Sequence, residues 1–553
     1  MCFSKSIFFR FLAVNRNNYN KGTVTTNLSK QYLAFIQSQL ESSFYEVGSV
    51  LKDLLIERFG MSEDNARQVI RRAASSGKIR SSEPFTFGRG QFAYWVSDKE
   101  LDAHDIGRLC ETRRPPIYRL IKLLDENQGV TSYYEALKVT SSPIEPSTTK
   151  VSSLNEILGL LKKLNILYTR NDPNNVTYIV LRENGYELRD DRILPMMRKH
   201  YSKMFVDSAI VPDIIRWLKK SNLISNPVMP YRYRKTPSIG ARANNLVWDA
   251  CAYTKATGIN PLVGAKAVSN EKQTFVVIDV VVSSEYSQIH LDGFLSRVQI
   301  SINSGVKDKR KLLPIIVYRD CSDEVLGKIT KLGFIAYDIG AIFGTRIYRA
   351  LAKLGHLSNV DYSRGVENVI SSLLKIISES GQEESLRTLR GLLFEAILYP
   401  LLKTIFPNAQ IFQGVTLKAE IEGKEKKHEV DYIIQSSNPS EIVLVELKGV
   451  SAKSHIPVGD SETKDTLMYF FRGVVSLAKV YYKDDLKKGI PIKAVFITSG
   501  NFWDDSLVAL EKLSRSKLKS SKMEISYARE ELLRLLEINS YKKERTIIKK
   551  YFK

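Results

Sequence analysis

His428-Glu429-Val430-Asp431-Tyr432-Ile433-Ile434 is followed, after a short turn of Ser, Asn and Pro, by Ile442-Val443-Leu444-Val445-Glu446-Leu447-Lys448-Gly449. The second run is apolar in the manner of a strand buried on both faces, yet Glu446 and Lys448 interrupt it. Positions two apart project from one face of a strand, so these two side chains are neighbours. A carboxylate and an ammonium in such a setting are costly unless they pair or bind something. Asp431 opens the preceding apolar strand, and a hairpin between the two runs brings it toward Glu446. Facing carboxylates suit a hard divalent cation such as Mg2+, which takes oxygen ligands and keeps several waters. An ordinary strand-edge ion pair accounts for Glu446 and Lys448, but not for Asp431.

Working outward, residues 389–405 repeat apolar side chains at helical spacing, with Leu392, Leu393, Ala396, Ile397 and Leu401 on one face. Glu395 sits among them. Strands are expected around Ile411 and over 415–421. After Lys448 comes a polar loop with His455, Asp460 and Lys464, then a helix over 466–481 and a strand over 492–498. Lys464 reads as a solvated loop residue. His428 and His455 carry no assigned role, because lone histidines are more often surface or hydrogen-bonded groups than general bases.

A helix acid, then a strand Asp, then an acid-x-Lys on the next strand resembles the PD-(D/E)xK nuclease superfamily, the fold of many restriction enzymes. The resemblance covers 366–512 of an expected domain over 361–512, and Val430 departs from the nominal Pro of its pattern. It implies a restriction-endonuclease-like α/β domain whose catalytic residues are Asp431, Glu446, Lys448 and Glu395. The three acids would hold Mg2+, with Mn2+ as its substitute, and Lys448 would assist the attacking water. The implied activity is a metal-dependent phosphodiesterase, an endodeoxyribonuclease.

Composition points the same way. The chain has 553 residues, with 82 Lys and Arg against 60 Asp and Glu, for a net charge of +22. Such an excess favours an anionic polymer, because each cation that meets a phosphate releases a condensed counterion. Four widely spaced cysteines, Cys2, Cys110, Cys251 and Cys321, form no CxxC pair, so neither a zinc ribbon nor a disulfide framework is expected and a reducing cytoplasm is the simplest location. No apolar run reaches the roughly 18 residues of a membrane span. Residues 1–43 read as a basic N-terminal segment, with a transit peptide as the second reading.

Residues 44–100 give a helix through Val47, Leu51 and Leu55 that ends at Gly60, then a second helix capped by Ser62. The second helix carries Arg67, Arg71 and Arg72. An expected hairpin over 85–96 turns at Gly88-Arg89-Gly90. The segment resembles a winged helix, which implies that Arg67, Arg71 and Arg72 on its recognition helix and Arg89 at the wing tip contact duplex DNA. Protein docking is the alternative role. Residues 101–182 resemble a second winged helix with a less basic third helix. Residues 183–240 read as a basic helical linker. Its cluster Tyr231-Arg232-Tyr233-Arg234-Lys235 suits either nucleic-acid contact or a solvated strap.

Residues 241–360 form a middle α/β domain, with buried-type strands over 275–282, 312–317 and 334–337. A helix bearing Trp248-Asp249, then a strand bearing Asp279, echoes the nuclease layout without its lysine. A degenerate nuclease copy and an unrelated α/β domain both remain open. Residues 513–553 form a basic helical tail.

The expected architecture is multidomain α/β and α+β, and the expected partner is double-stranded DNA. The domain order resembles restriction nucleases that defend against foreign DNA. Repair or recombination nuclease, RNA-processing nuclease, and DNA-binding assembly factor with a silent nuclease fold are the other readings. No GxxxxGK[ST] run is present, so any motor or licensing subunit is a separate chain. Double-strand cutting with one active domain would need a homodimer.

Overall fold

A computed structural model describes residues 21–553 apart from 88–89, 99, 146–151, 174, 255–273, 305–310, 360–365 and 422–423. Arg89 of the expected wing tip and residues 1–20 of the N-terminal segment lie outside the described residues. The fold is multidomain, with mixed helical and β-sheet regions. The chain divides into two compact units: Met1–Lys122 with Asn155–Tyr168 and Leu181–Glu187, and Leu123–Leu154 with Thr169–Val180 and Leu188–Lys553. This division cuts through 101–182, which the sequence suggests as one domain. Among the described residues no helix is long and apolar enough to cross a membrane.

In the first unit, helices Lys21–Ser43, Gly48–Phe59 and Glu63–Ser75 pack on a small antiparallel sheet. The helical spacing of Leu51 and Leu55, and of Ala66, Ile70 and Ala73, places all five in one core with Ile36 and Leu40. Gly60 ends its helix in the left-handed region at φ 60°, and its N–H bonds the carbonyl of Ile56. The Ser62 hydroxyl accepts from the N–H of Asn65, the cap expected of it. One expectation needs correcting. Ala93–Val96 pairs with Ile79–Ser81 and not with residues 85–87, so the strands of the hairpin lie further apart in sequence.

The second unit holds two five-stranded sheets. The first is introduced by helix α1 (Asp190–Lys220) and contains β1 (Asn226–Pro227), β2 (Ala250–Thr254), β3 (Thr274–Glu285), β4 (Leu312–Asp320) and β5 (Ile335–Asp338). Helices α2 (Gln288–Ser304) and α3 (Asp323–Lys331) form its crossovers. The stretch expected to be a linker contributes α1 as a core helix: Phe205, Ile210, Ile214 and Leu218 are buried beneath the sheet. Trp248-Asp249 lies at a strand end and not on a helix, because Leu246–Trp248 pairs with Ala241–Ala243.

The second sheet is introduced by α4 (Arg387–Ile405) and contains β6 (Gln410–Ile421), β7 (Lys424–Ser437), β8 (Ser440–Lys448), β9 (Ile492–Thr498) and β10 (Ser526–Tyr527). A π-helical turn at Tyr469–Val474 leads into α5 (Val475–Tyr481), and α6 (Asp504–Ser514) follows β9. The two sheets share one strand plan. In each, the first pair and the second pair run antiparallel, and the last two pairs run parallel. Each is preceded by one long helix. Asp213 of α1 accepts from the N–H groups of Thr388 and Leu389, which caps the start of α4 and ties the two layers together.

Candidate active site and its sealed counterpart

The β7–β8 pairing sets Tyr432 opposite Val445, so one further step sets Asp431 opposite Glu446. The N–H of Leu447 donates to Asp431 Oδ2 at 2.8 Å, which fixes that carboxylate against the neighbouring strand. Lys448, two positions beyond Glu446, places its Nζ 3.0 Å from Glu446 Oε1 and 2.8 Å from Asp465 Oδ1. Glu395 arrives from α4. Its helix reaches the end of β8 because Gly449 has no Cβ, which would lie 2.5 Å from Cβ of Phe394. The hydroxyl of Tyr432 donates to the carbonyl of Glu395 and holds helix and strand together. The four residues expected from the sequence therefore meet.

Two further cations enter this centre. Arg234 pairs with Glu395, and Lys235 lies 3.4 Å from Asp431 Oδ1 and also pairs with Glu429. The Tyr233 hydroxyl donates to Glu429 at 2.6 Å. Tyr233, Arg234 and Lys235 of the Tyr231–Lys235 cluster, for which the sequence offers nucleic-acid contact or a solvated strap, are thus folded into the acid centre. The cluster's alternation of aromatics and cations is the only local signal, and it gives no hint of which acids receive it.

The centre gathers five carboxylates and three cations, paired as Arg234 with Glu395, Lys235 with Glu429 and Asp431, and Lys448 with Glu446 and Asp465. Burial pushes the Glu446 carboxyl up to about 7, against the pull of Lys448 and with the help of Asp431. Burial works against the charge on Lys448, yet Glu446, Asp465 and Asp431 outweigh it and hold the ammonium above its ordinary range. Lys448 thus remains a hydrogen-bond donor. Oε2 of Glu395 is buried without a hydrogen-bond partner. An all-oxygen acid set with an excess of negative charge and one orphaned carboxylate oxygen fits a hard divalent cation. Among the described residues, however, no three metal-ligating side chains already stand in metal-binding geometry, and Arg234 and Lys235 lie among the acids.

His428 and His455 stay outside the centre. His428 bonds the Tyr469 hydroxyl at 2.7 Å, and His455 packs its ring on Trp503.

The first sheet repeats the acid geometry. Ala250 pairs with Ile278, so Asp249 falls opposite Asp279 in the register that sets Asp431 opposite Glu446. The N–H of Val280 donates to Asp249 Oδ2 at 2.7 Å, the same bond that Leu447 makes to Asp431. Asp207 of α1 comes to 3.8 Å from Arg232, as Glu395 of α4 meets Arg234. The difference is at the lysine. Val281 occupies the place of Lys448, and an ammonium comes instead from helix Tyr133–Thr140: Lys138 lies 2.5 Å from Asp249 and 3.0 Å from Asp279. Arg232 and Arg297 complete the neutralisation at 3.2 Å and 2.8 Å. Every one of these side chains is 5% exposed or less, so this centre is sealed. A cavity of about 290 Å³ opens beside it, lined by Glu135, Lys138, His200, Lys203, Arg232 and His290.

Of the expected DNA-contacting residues, Arg67, Arg71 and Arg72 are exposed on helix Glu63–Ser75. Arg67 is tied to Glu63 at 3.1 Å, an exposed pair of little stabilising value.

No family model matches this chain, and no curated protein does. Among solved structures it is similar to protein VC1899 from Vibrio cholerae, at 16% identity and a TM-score of 0.21. That alignment covers 32% of this chain and 43% of the other, less than half of either.

Proposed function

We propose that this protein is a Mg2+-dependent nuclease that hydrolyses phosphodiester bonds of duplex DNA, with Mn2+ able to replace Mg2+. The observation that carries the reading is the registry of Asp431 with Glu446, with Lys448 two positions further on the same strand and Glu395 brought alongside. Asp431, Glu446 and Glu395 would hold the cation. When bound, it would stabilise charge developing on the phosphate and lower the pKa of a coordinated water. Lys448, held as a cation by Glu446 and Asp465, would orient that water or steady a phosphate oxygen by donating hydrogen bonds. It would not serve as the base in this charge state.

The PD-(D/E)xK likeness of 366–512 supports the same reaction class. The exposed arginines of helix Glu63–Ser75 support winged-helix contact with the duplex. The sealed counterpart, whose acids are neutralised by protein cations, supplies no second cutting centre. A double-strand break would therefore draw on a second copy of the chain. Restriction of foreign DNA is the biological role that best suits a reader joined to a cutter, with repair or recombination next.

The test is cleavage of plasmid and linear duplex with Mg2+ by the wild type, Asp431→Asn and Lys448→Ala. Asn keeps an oxygen for the N–H of Leu447. Cutting by the wild type that both variants lose, with duplex binding retained, supports the assignment. Cutting that survives in Asp431→Asn places the chemistry elsewhere.

A further inference from the structure

Residues 231–235 thread between the two acid centres. Arg232 turns to the sealed one, 3.2 Å from Asp249, while Tyr233, Arg234 and Lys235 turn to Glu429, Glu395 and Asp431 of the other. Arg234 and Lys235 thereby take one oxygen each of two of the acids that would hold a divalent cation. Asp431 has Leu447 on one oxygen and Lys235 on the other, and one oxygen of Glu395 has Arg234.

The insertion has a shaped seat. The stem of Lys235 crosses Gly414, where a Cβ would lie 2.3 Å from the lysine Cδ. Only 9% of the Lys235 side chain is exposed. Yet the seat is imperfectly satisfied. Nε of Arg234 and Oε2 of Glu395 are buried with no hydrogen-bond partner. Buried polar atoms without partners are rare and costly in a network built to stay closed.

We propose that Arg234 and Lys235 form an internal autoinhibitory plug, occupying the carboxylate oxygens of Glu395 and Asp431 that the divalent cation would use, so that the cation binds only when the 231–235 segment withdraws. The proposal rests on the metal-site reading above. A protein whose competent state is a minor fraction binds its ligand with an affinity reduced by that fraction. Removing the ammonium of Lys235 removes that penalty, and the oxygens of Asp431 become available.

The experiment is Mn2+ binding to the full chain by calorimetry, comparing the wild type, Lys235→Ala, Lys235→Met, and Lys235→Met with Asp431→Asn. Met keeps the stem over Gly414, so it covers the case in which Ala fails to fold. The plug requires Mn2+ to bind the Lys235 variants about tenfold or more tightly than the wild type, and the added Asp431→Asn to remove that gain. Equal affinity in the wild type and the Lys235 variants, still lost with Asp431→Asn, overturns the plug and leaves the metal site standing. Binding that is indifferent to Asp431→Asn, or absent from every variant, overturns the metal site and the plug with it.

Discussion

The ammonium of Lys138 lies 3.0 Å from the carboxylate of Asp279, although 141 residues separate them in the chain and both side chains are almost wholly buried. The same ammonium lies 2.5 Å from Asp249. Lys138 takes the position between two facing acids, and it does so from a helix outside the sheet.

Removing Lys138 should therefore be costly. Lys138→Met preserves the volume but leaves Asp249 and Asp279 with only Arg232 and Arg297 to offset their charge. Breaking a buried pair in this way costs roughly 3–5 kcal/mol. A urea titration of the second unit should show a midpoint lowered accordingly. A midpoint within experimental error of the wild type would mean that the arginines alone suffice.

The imidazole of His290 should make the protein sensitive to mild acid. Burial, and then Lys138, push its pKa down from 6.5 to about 4, against the opposing pull of Asp279, Glu135 and Asp249. Between these values the unfolded chain binds more protons at this residue than the folded chain, so stability rises with pH. The stability contributed by keeping His290 neutral is complete above about 6.5 and lost as pH falls to about 4. His290→Asn keeps an acceptor for the N–H of Ser287, which now donates to the ring nitrogen at 3.2 Å. The variant should show a shallower loss of stability across that window. An unchanged slope would assign the acid sensitivity to other groups.

Arg71 and Arg72 are, with Arg67, the exposed cations of the helix proposed to meet DNA. Replacing both with Ala should weaken duplex binding about equally for all sequences. The slope of log K against log salt should fall by about 0.9 for each phosphate that the protein no longer neutralises. An unchanged salt slope would remove this helix from the DNA interface.

Local sequence carries the acid centre a long way. The period of two along 442–448 puts Glu446 and Lys448 on one face, and the apolar context tells that the strand is buried. The helical spacing of 389–405 places Glu395 on an otherwise apolar surface, and the observed helix, Arg387–Ile405, buries it. A hairpin between adjacent runs is a short-range event, so the meeting of Asp431 with Glu446 follows from the same stretch. Periodicity misleads at Trp248-Asp249. There two three-residue strands are too short to display any repeat, and the sequence suggests a helix in their place.

What sequence alone determined is therefore the chemistry of single strands and helices: which residues share a face, and which polar groups sit where burial makes them costly. What only the tertiary structure decided is which charges answer them. Arg234 and Glu395 are 161 positions apart, Lys235 and Asp431 are 196 apart, and Lys138 and Asp249 are 111 apart. Local periodicity is blind to such pairs, because they are brought together by the docking of one layer on another. The buried acids of the chain announced that they needed partners, and the packing of distant elements selected protein cations to fill that place.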